Sequence, residues 1–460
     1  MSMRPIGLGA CAVLAVVLIA KAREGLGQLT QRASNVVVAA PPRAAPAVEA
    51  DGPGAFSLSI PGLSREDRRA FSVGNALFRD NWVPAPSSAD GRDGLGPLFV
   101  ASSCSACHMD DGRGRPPLDD AERSTGMVVF VSSSREPSAP HPMLGAQVQE
   151  LAIPGVEPEA RVRLVPVDVT PHGGARLMTW QVDLRTPAGA AIDDALPSVR
   201  MGPQLIGLGL LEAVDDGTIR AAADPEDRDG DGISGRVHEV DADGVRRIGR
   251  FGWKATQATL DAQVAAALHG DMGLTTSAHP RESLTEAQRA SITAPSGGDP
   301  EVDDLKVQRL AHYCRVLAVP RRRSTDDPRV QRGAAVFEST GCASCHRPSM
   351  RTGTGSPMSQ YHEVDLAAYT DLLLHDMGEG LADGRPDGMA SGSEWRTPPL
   401  WGLGLIEVVN GHTRLLHDGR ARSVEEAILW HGGEAASSRR SFEALGADDR
   451  EALLAFLRSI

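Results

Sequence analysis

The rhythm of apolar and polar positions changes several times along this chain. Behind Arg4, Ile6 to Ala20 runs apolar with only glycine as polar punctuation, and Ala20-Lys-Ala22 closes it in a small-x-small pattern. That is the layout of an export signal over residues 1–22, with an uncleaved membrane anchor as the alternative. Residues 23–55, rich in Ala, Pro and Val, read as a linker. Ser64-Arg-Glu-Asp67 then gives a capping-box-like start to a helix carrying Phe71, Leu77 and Phe78. Between about 125 and 195 the texture turns to β-formers. Met127–Val131, Arg161–Val169 and Leu177–Leu184 read as strands, the last two partly alternating apolar and polar residues. Ser, Thr and Gly at 283–300 suggest a connector, and helical spacing returns around Asp304–Leu317. The chain closes with an amphipathic helix from Asp448 to Ile460, acidic in its first turn. The pattern predicts a mainly α protein with a β-rich insertion.

Two short motifs give this frame its chemistry: Cys104-Ser-Ala-Cys-His108 and Cys342-Ala-Ser-Cys-His346. Each reads C-x-x-C-H, the attachment signature of a c-type haem. Two cysteines three apart reach the two vinyl groups of one porphyrin, and the adjacent histidine then lies under the ring as proximal iron ligand. A redox disulfide or a four-cysteine zinc site has no need of His directly after the second Cys. The surroundings repeat as well. Arg200-Met-Gly-Pro-Gln-Leu-Ile-Gly-Leu-Gly-Leu-Leu-Glu212 matches Arg396-Thr-Pro-Pro-Leu-Trp-Gly-Leu-Gly-Leu-Ile-Glu407 with a one-residue gap, each copy downstream of its own motif. Thr259–Val264 likewise resembles Ser423–Ile428, and both run toward a His-Gly pair, His269-Gly270 and His431-Gly432. Two cytochrome c-like haem domains from an internal duplication account for this, spanning 56–300 (with the insertion) and 301–460. The predicted cofactors are two covalently bound haem c.

Composition narrows the classes. The formal charge of −13, with no basic stripe, argues against nucleic acid as a partner. Of 6 cysteines, four belong to the haem motifs, Cys11 lies in the leader and Cys314 is alone, so no disulfide framework is expected. Covalent haem attachment and the leader agree on a periplasmic or exported location, with a membrane involved only through the N-terminal anchor. Asp227-Arg-Asp-Gly-Asp-Gly-Ile-Ser234 places Asp227, Asp229 and Asp231 at alternating positions, like the first half of a calcium loop. Position twelve, where a bidentate Glu belongs, is His238.

Several long stretches carry a resemblance: Gly94–Phe99 with the first haem motif, Asp229–Gly235, Tyr369–Gly380, Trp395–Trp401 and His417–His431. Across about 64–460 they resemble the dihaem oxidoreductase family of the thiol-oxidoreductase type, and more distantly the bacterial dihaem cytochrome c peroxidases and MauG-like proteins. The resemblance implies a six-coordinate C-terminal haem that relays electrons to an N-terminal haem, which reduces a peroxide-like or other oxidant. It implies His431 as second ligand opposite His346, with Met377 as the alternative. For the N-terminal haem it lays a glutamine and an acid onto Gln263 and Asp271 as catalytic candidates. Met272, next door, is the candidate ligand that would instead close that site and leave a non-enzymatic electron-transfer protein. The expected donor is a small redox protein, cytochrome c or cupredoxin-like. With Cys314 partnerless, thiol chemistry finds no support.

Overall fold

The first helix starts where the capping residues stand: Ser64 Oγ accepts the Asp67 amide, and Glu66 and Asp67 occupy the positive end of the helix dipole. A computed structural model describes residues 43–89, 91–117, 126–242 and 244–460. The leader, Cys11 and the first part of the linker lie outside the described residues. Helices α1 (Arg65–Arg79), α2 (Leu260–Met272), α3 (Asp304–Val316), α4 (Pro328–Ser339), α5 (Val424–Leu429) and α6 (Ala447–Ser459) frame the two C-x-x-C-H motifs. Among the described residues no helix is long and apolar enough to cross a membrane.

Two helix crossings organise the core, and both depend on a glycine. α1 packs on α3 where a side chain at Gly74 would run into the Arg309 carbonyl and come 2.7 Å from Tyr313 Cβ. α4 packs on α6 where one at Gly333 would run into the Ala452 carbonyl and come 2.7 Å from Phe456 Cβ. Each contact carries an aromatic cluster, Phe71 and Phe78 around Tyr313, and Phe337 and Tyr369 around Phe456. The sequence reading put the Asp304 helix at the head of the C-terminal domain; its packing is with α1, on the N-terminal side. Gly333→Val should lower the urea midpoint, because overpacking at this crossing costs about 1–3 kcal/mol and exceeds the small gain in helix propensity. An unchanged midpoint would contradict the close approach.

The repeated segments meet each other. A side chain at Gly207 would strike the Trp401 ring, and one at Gly402 would come 2.6 Å from Ile206 Cδ1. Ile206 and Trp401 are equivalent positions in the two copies, so each copy seats the other's apolar residue over its glycine. Both glycines have left-handed φ, 72° and 74°, which only glycine adopts freely. The next glycines match too: Gly209 lies against the Arg315 carbonyl near the end of α3, and Gly404 against the Arg458 carbonyl near the end of α6.

The β-formers become strands β1 (Met127–Ser133), β2 (Arg161–Val169), β3 (Leu177–Arg185) and β4 (Ala195–Met201). β2 and β3 form an antiparallel hairpin, and β1 pairs antiparallel with β4 from Met127↔Met201 to Ser133↔Ala195. Val129, Val131, Leu164, Leu184 and Val199 bury a core belonging to this insertion. Two further strands, β5 (Leu374–Asp376) and β6 (Glu394–Arg396), pair beside the second motif. Such short ladders recur outside the insertion, so the fold holds more strand than the mainly α expectation.

Candidate functional site

The C-terminal motif opens onto an apolar cavity of about 190 Å³. Its wall includes Cys342, Cys345 and His346 from the motif, Met377 beyond β5, and Ile428 and His431 from the α5 region. His346 Nδ1 bonds the Tyr369 carbonyl at 2.9 Å, and His431 Nδ1 bonds the Ala427 carbonyl at 2.7 Å. A ring held by Nδ1–H to a carbonyl leaves Nε2 unprotonated, the form in which imidazole binds a metal. Burial pushes the His346 pKa down to about 4, and a charge on His431 would lower it further, so the two rings lie within electrostatic reach. Burial lowers His431 as well. Both histidines are therefore neutral and ready to ligate. Met377 lines the same cavity.

A buried polar cluster braces this wall. His375 Nε2 bonds Asp371 at 2.9 Å and Nδ1 bonds Glu434 at 2.6 Å. Burial disfavours its charge, but the bonds to Asp371, Cys345 and Glu434 win and push its pKa up to about 12. Glu434 also accepts from the Ser234 amide at 3.0 Å and hydroxyl at 3.1 Å, which ties the acidic loop to the cavity wall. In that loop Asp227, Asp229 and Asp231 bring carboxylate oxygens within 4.8 Å of one another. His238 turns away from them, bonding the Lys254 carbonyl at 2.6 Å and the Met389 amide at 3.2 Å.

The N-terminal motif repeats the histidine geometry: His108 Nδ1 bonds the Pro203 carbonyl at 2.8 Å, and burial lowers its pKa. Gly202 lies against the ring, where a Cβ would stand 2.9 Å from His108 Cε1. The Met201 carbonyl, one residue back, accepts Trp253 Nε1 at 2.8 Å, and Trp253 lines the C-terminal cavity. Three consecutive residues thus connect the first histidine with the wall of the second site.

On the other side of the first motif, Cys104 packs against a buried cluster containing Phe78, Trp82, Leu268, Met272 and Cys314. Burial pushes the Cys104 thiol up to about 12, with the nearby Asp271 charge adding to it. Asp271 itself is pushed up to about 6 by burial, against a 2.8 Å hydrogen bond donated by Gln147 Nε2. Gln149 Nε2 donates to the Gly270 carbonyl at 2.8 Å. Sequence reasoning paired Asp271 with Gln263, which stands eight residues back on α2, about 12 Å along the axis. The amide actually against the acid is Gln147, 124 residues away in the β-rich insertion, and no local pattern announced it.

Two sites of neutral, carbonyl-anchored histidine beside a C-x-x-C pair define the class: a protein built to hold two haems for redox work. The chain matches the family described as "Di-haem oxidoreductase, putative peroxidase" over residues 47–130 and 188–460, leaving out most of the β-rich insertion. It belongs to that family and is a dihaem redox enzyme. A comparison with curated protein sequences finds no match. Solved structures that are similar include the following two. Hydrazine synthase of Kuenenia stuttgartiensis is 14% identical, over 92% of this chain and 100% of that one, with a TM-score of 0.33. The diheme peroxidase BthA of Burkholderia thailandensis E264 is 14% identical, over 92% of each chain, with a TM-score of 0.36.

Proposed function

We propose that the protein is an exported dihaem c-type cytochrome that reduces a peroxide-like oxidant. The two motifs would hold two haems, which would supply one-electron redox chemistry, with the C-terminal site facing a small donor protein and the N-terminal site the oxidant. Cys104 and Cys107, and Cys342 and Cys345, would provide the thioether sulfurs, and His108 and His346 would ligate the irons. The observation that carries the reading is the asymmetry of the two sites. One gathers two neutral histidines, His346 and His431, in a single cavity. The other sets a carboxyl with a pKa of about 6 near its attachment cysteine. Histidine on both faces suits a relay, whereas a carboxyl suits proton handling during O–O cleavage.

Asp271, ionised, would accept a proton from an incoming peroxide and return it to the oxygen that leaves. Gln147 holds the carboxylate in place, and the insertion that supplies it shields the acid from water. The glycine crossings and reciprocal Ile206–Gly402 and Trp401–Gly207 seats support descent of both haem domains from one duplicated unit. The test is peroxide-dependent oxidation of a reduced cytochrome c or cupredoxin by the purified two-haem protein. A carrier with Met272 closing its first haem would exchange electrons with the donor but consume no peroxide, and that result would overturn the enzymatic reading.

The Asp227–Asp231 loop is proposed to hold calcium, on the convergence of its three carboxylates. Calcium at about a hundred times its Kd should stabilise the chelator-treated protein by about 2.7 kcal/mol, read as a rise in Tm that Asp229→Asn removes. No rise would reject the site.

A further inference from the structure

The C-terminal cavity holds a charge pattern that its apolar lining does not explain. Three arginines line it: Arg113, Arg396 and Arg439. Arg439 is neutralised by Glu443, with bonds of 2.8 and 2.9 Å. The hydrogen bonds of the other two go to neutral oxygens, and among the described residues neither forms a direct ion pair, although the charge of buried Asp371 reaches Arg396. Arg113 donates to Gln204 Oε1 at 3.1 Å and to the Leu416 carbonyl at 2.8 Å, and its buried Nε has no partner. Arg396 donates to the Gly252 and Thr397 carbonyls, both at 3.0 Å. They are 5% and 7% exposed, so neither charge is relieved by bulk water. Burying a guanidinium with no direct ion-pair partner is costly, and an anion entering the cavity would offset that cost for Arg113 and, beside Asp371, in part for Arg396. Burial lowers both pKa values to about 10, which still leaves both charged at neutral pH.

We propose that Arg113 and Arg396 form the anion-binding pair of the C-terminal cavity and receive the propionate carboxylates of its haem. The proposal rests on the reading of that cavity as a haem site. Guanidinium is the donor best matched to a carboxylate, because its planar fork makes two charge-assisted bonds at once. Both side chains are held before any anion binds. The Arg113 amide donates to Asn410 Oδ1 at 3.0 Å, and its guanidinium lies 5.6 Å above the Trp253 ring. Arg113 also follows His108 by only five residues, so the segment carrying the first proximal histidine sends its arginine into the second site. It is a positioning residue of the second centre: it would orient that haem and set the charge around it, and it takes no part in bond making.

The test is spectroelectrochemistry of the purified holoprotein and its Arg113→Gln and Arg113→Lys variants, with haem content and spin state measured on each. Two haems per chain and one low-spin spectrum in all three establish that the cavity reading stands. Within that result, Arg113→Gln should lower the midpoint potential of the low-spin haem, since removing a cation disfavours the more negative reduced state. The expected size is about a tenfold fall in its reduction equilibrium, about 59 mV for one electron. Arg113→Lys should recover most of the shift, and the high-spin haem should be unaffected. An unchanged low-spin potential in Arg113→Gln overturns the proposal while leaving the haem assignment intact. Should Arg113→Gln fail to fold, resonance Raman of the wild type and Arg113→Lys decides: a shifted propionate bending band supports the contact, and an identical band rejects it.

Discussion

Replacing His431 by alanine should turn the C-terminal haem from low-spin to high-spin, with both haems still covalently attached. His431 contributes Nε2 to the cavity because Ala427, one turn back along α5, fixes Nδ1. Removing the ring leaves the His346 side of the iron unchanged, since His346 is anchored independently on Tyr369. Electron delivery to the first haem should slow. Met377→Ala is the control: Met377 shares the cavity, and its loss should leave the ferric spectrum unchanged. If Met377→Ala gives the high-spin spectrum and His431→Ala does not, the two residues exchange roles.

Asp271→Asn should abolish proton delivery and lower peroxide turnover by about 10²- to 10⁴-fold, while both haem spectra stay intact. The wild-type pH profile carries a second signature. Burial raises this carboxyl from its ordinary value to about 6, so it is protonated below that pH and ionised above it. Because the ionised form accepts the first proton, turnover should climb as pH passes about 6, and Asn should erase that limb. Stability runs the other way. A carboxyl raised in the fold favours the native state at acid pH, and that contribution is lost as pH rises through about 6. Gln147→Leu separates positioning from folding. The Gln147 amide favours the carboxylate, so its removal should move the acid limb to higher pH and leave the high-pH plateau largely in place. A profile identical to wild type in Gln147→Leu would mean that the insertion only covers the site.

What could be read from the sequence follows how local each signal is. C-x-x-C-H packs its chemistry into five residues, so both motifs were plain without any fold. β2 and β3 were legible because alternation over nine residues has one dominant explanation, and the strands fall at Arg161–Val169 and Leu177–Arg185. The helix Asp304–Val316 was visible by its period, but its partner was not: the crossing with α1 depends on Gly74, more than 200 residues earlier. Side chains that shape the sites were less legible still. Gln147 reaches Asp271 over 124 residues, and Arg113 reaches the Leu416 carbonyl over 303. Each sits in unremarkable sequence, and only the folded chain shows the charge or acid it serves. Gln263 shows the converse: it lies on the same helix as Asp271, yet the acid two turns on is held by another amide.

The central claim is that the two haem sites differ: one closed by histidine on both faces, the other open beside an acid. Ferric EPR of the purified protein measures this directly. The account predicts one low-spin and one high-spin haem per chain, with the low-spin signal lost in His431→Ala. Two low-spin signals of equal weight in every redox state would contradict it, because the N-terminal iron would then have no free position for an oxidant.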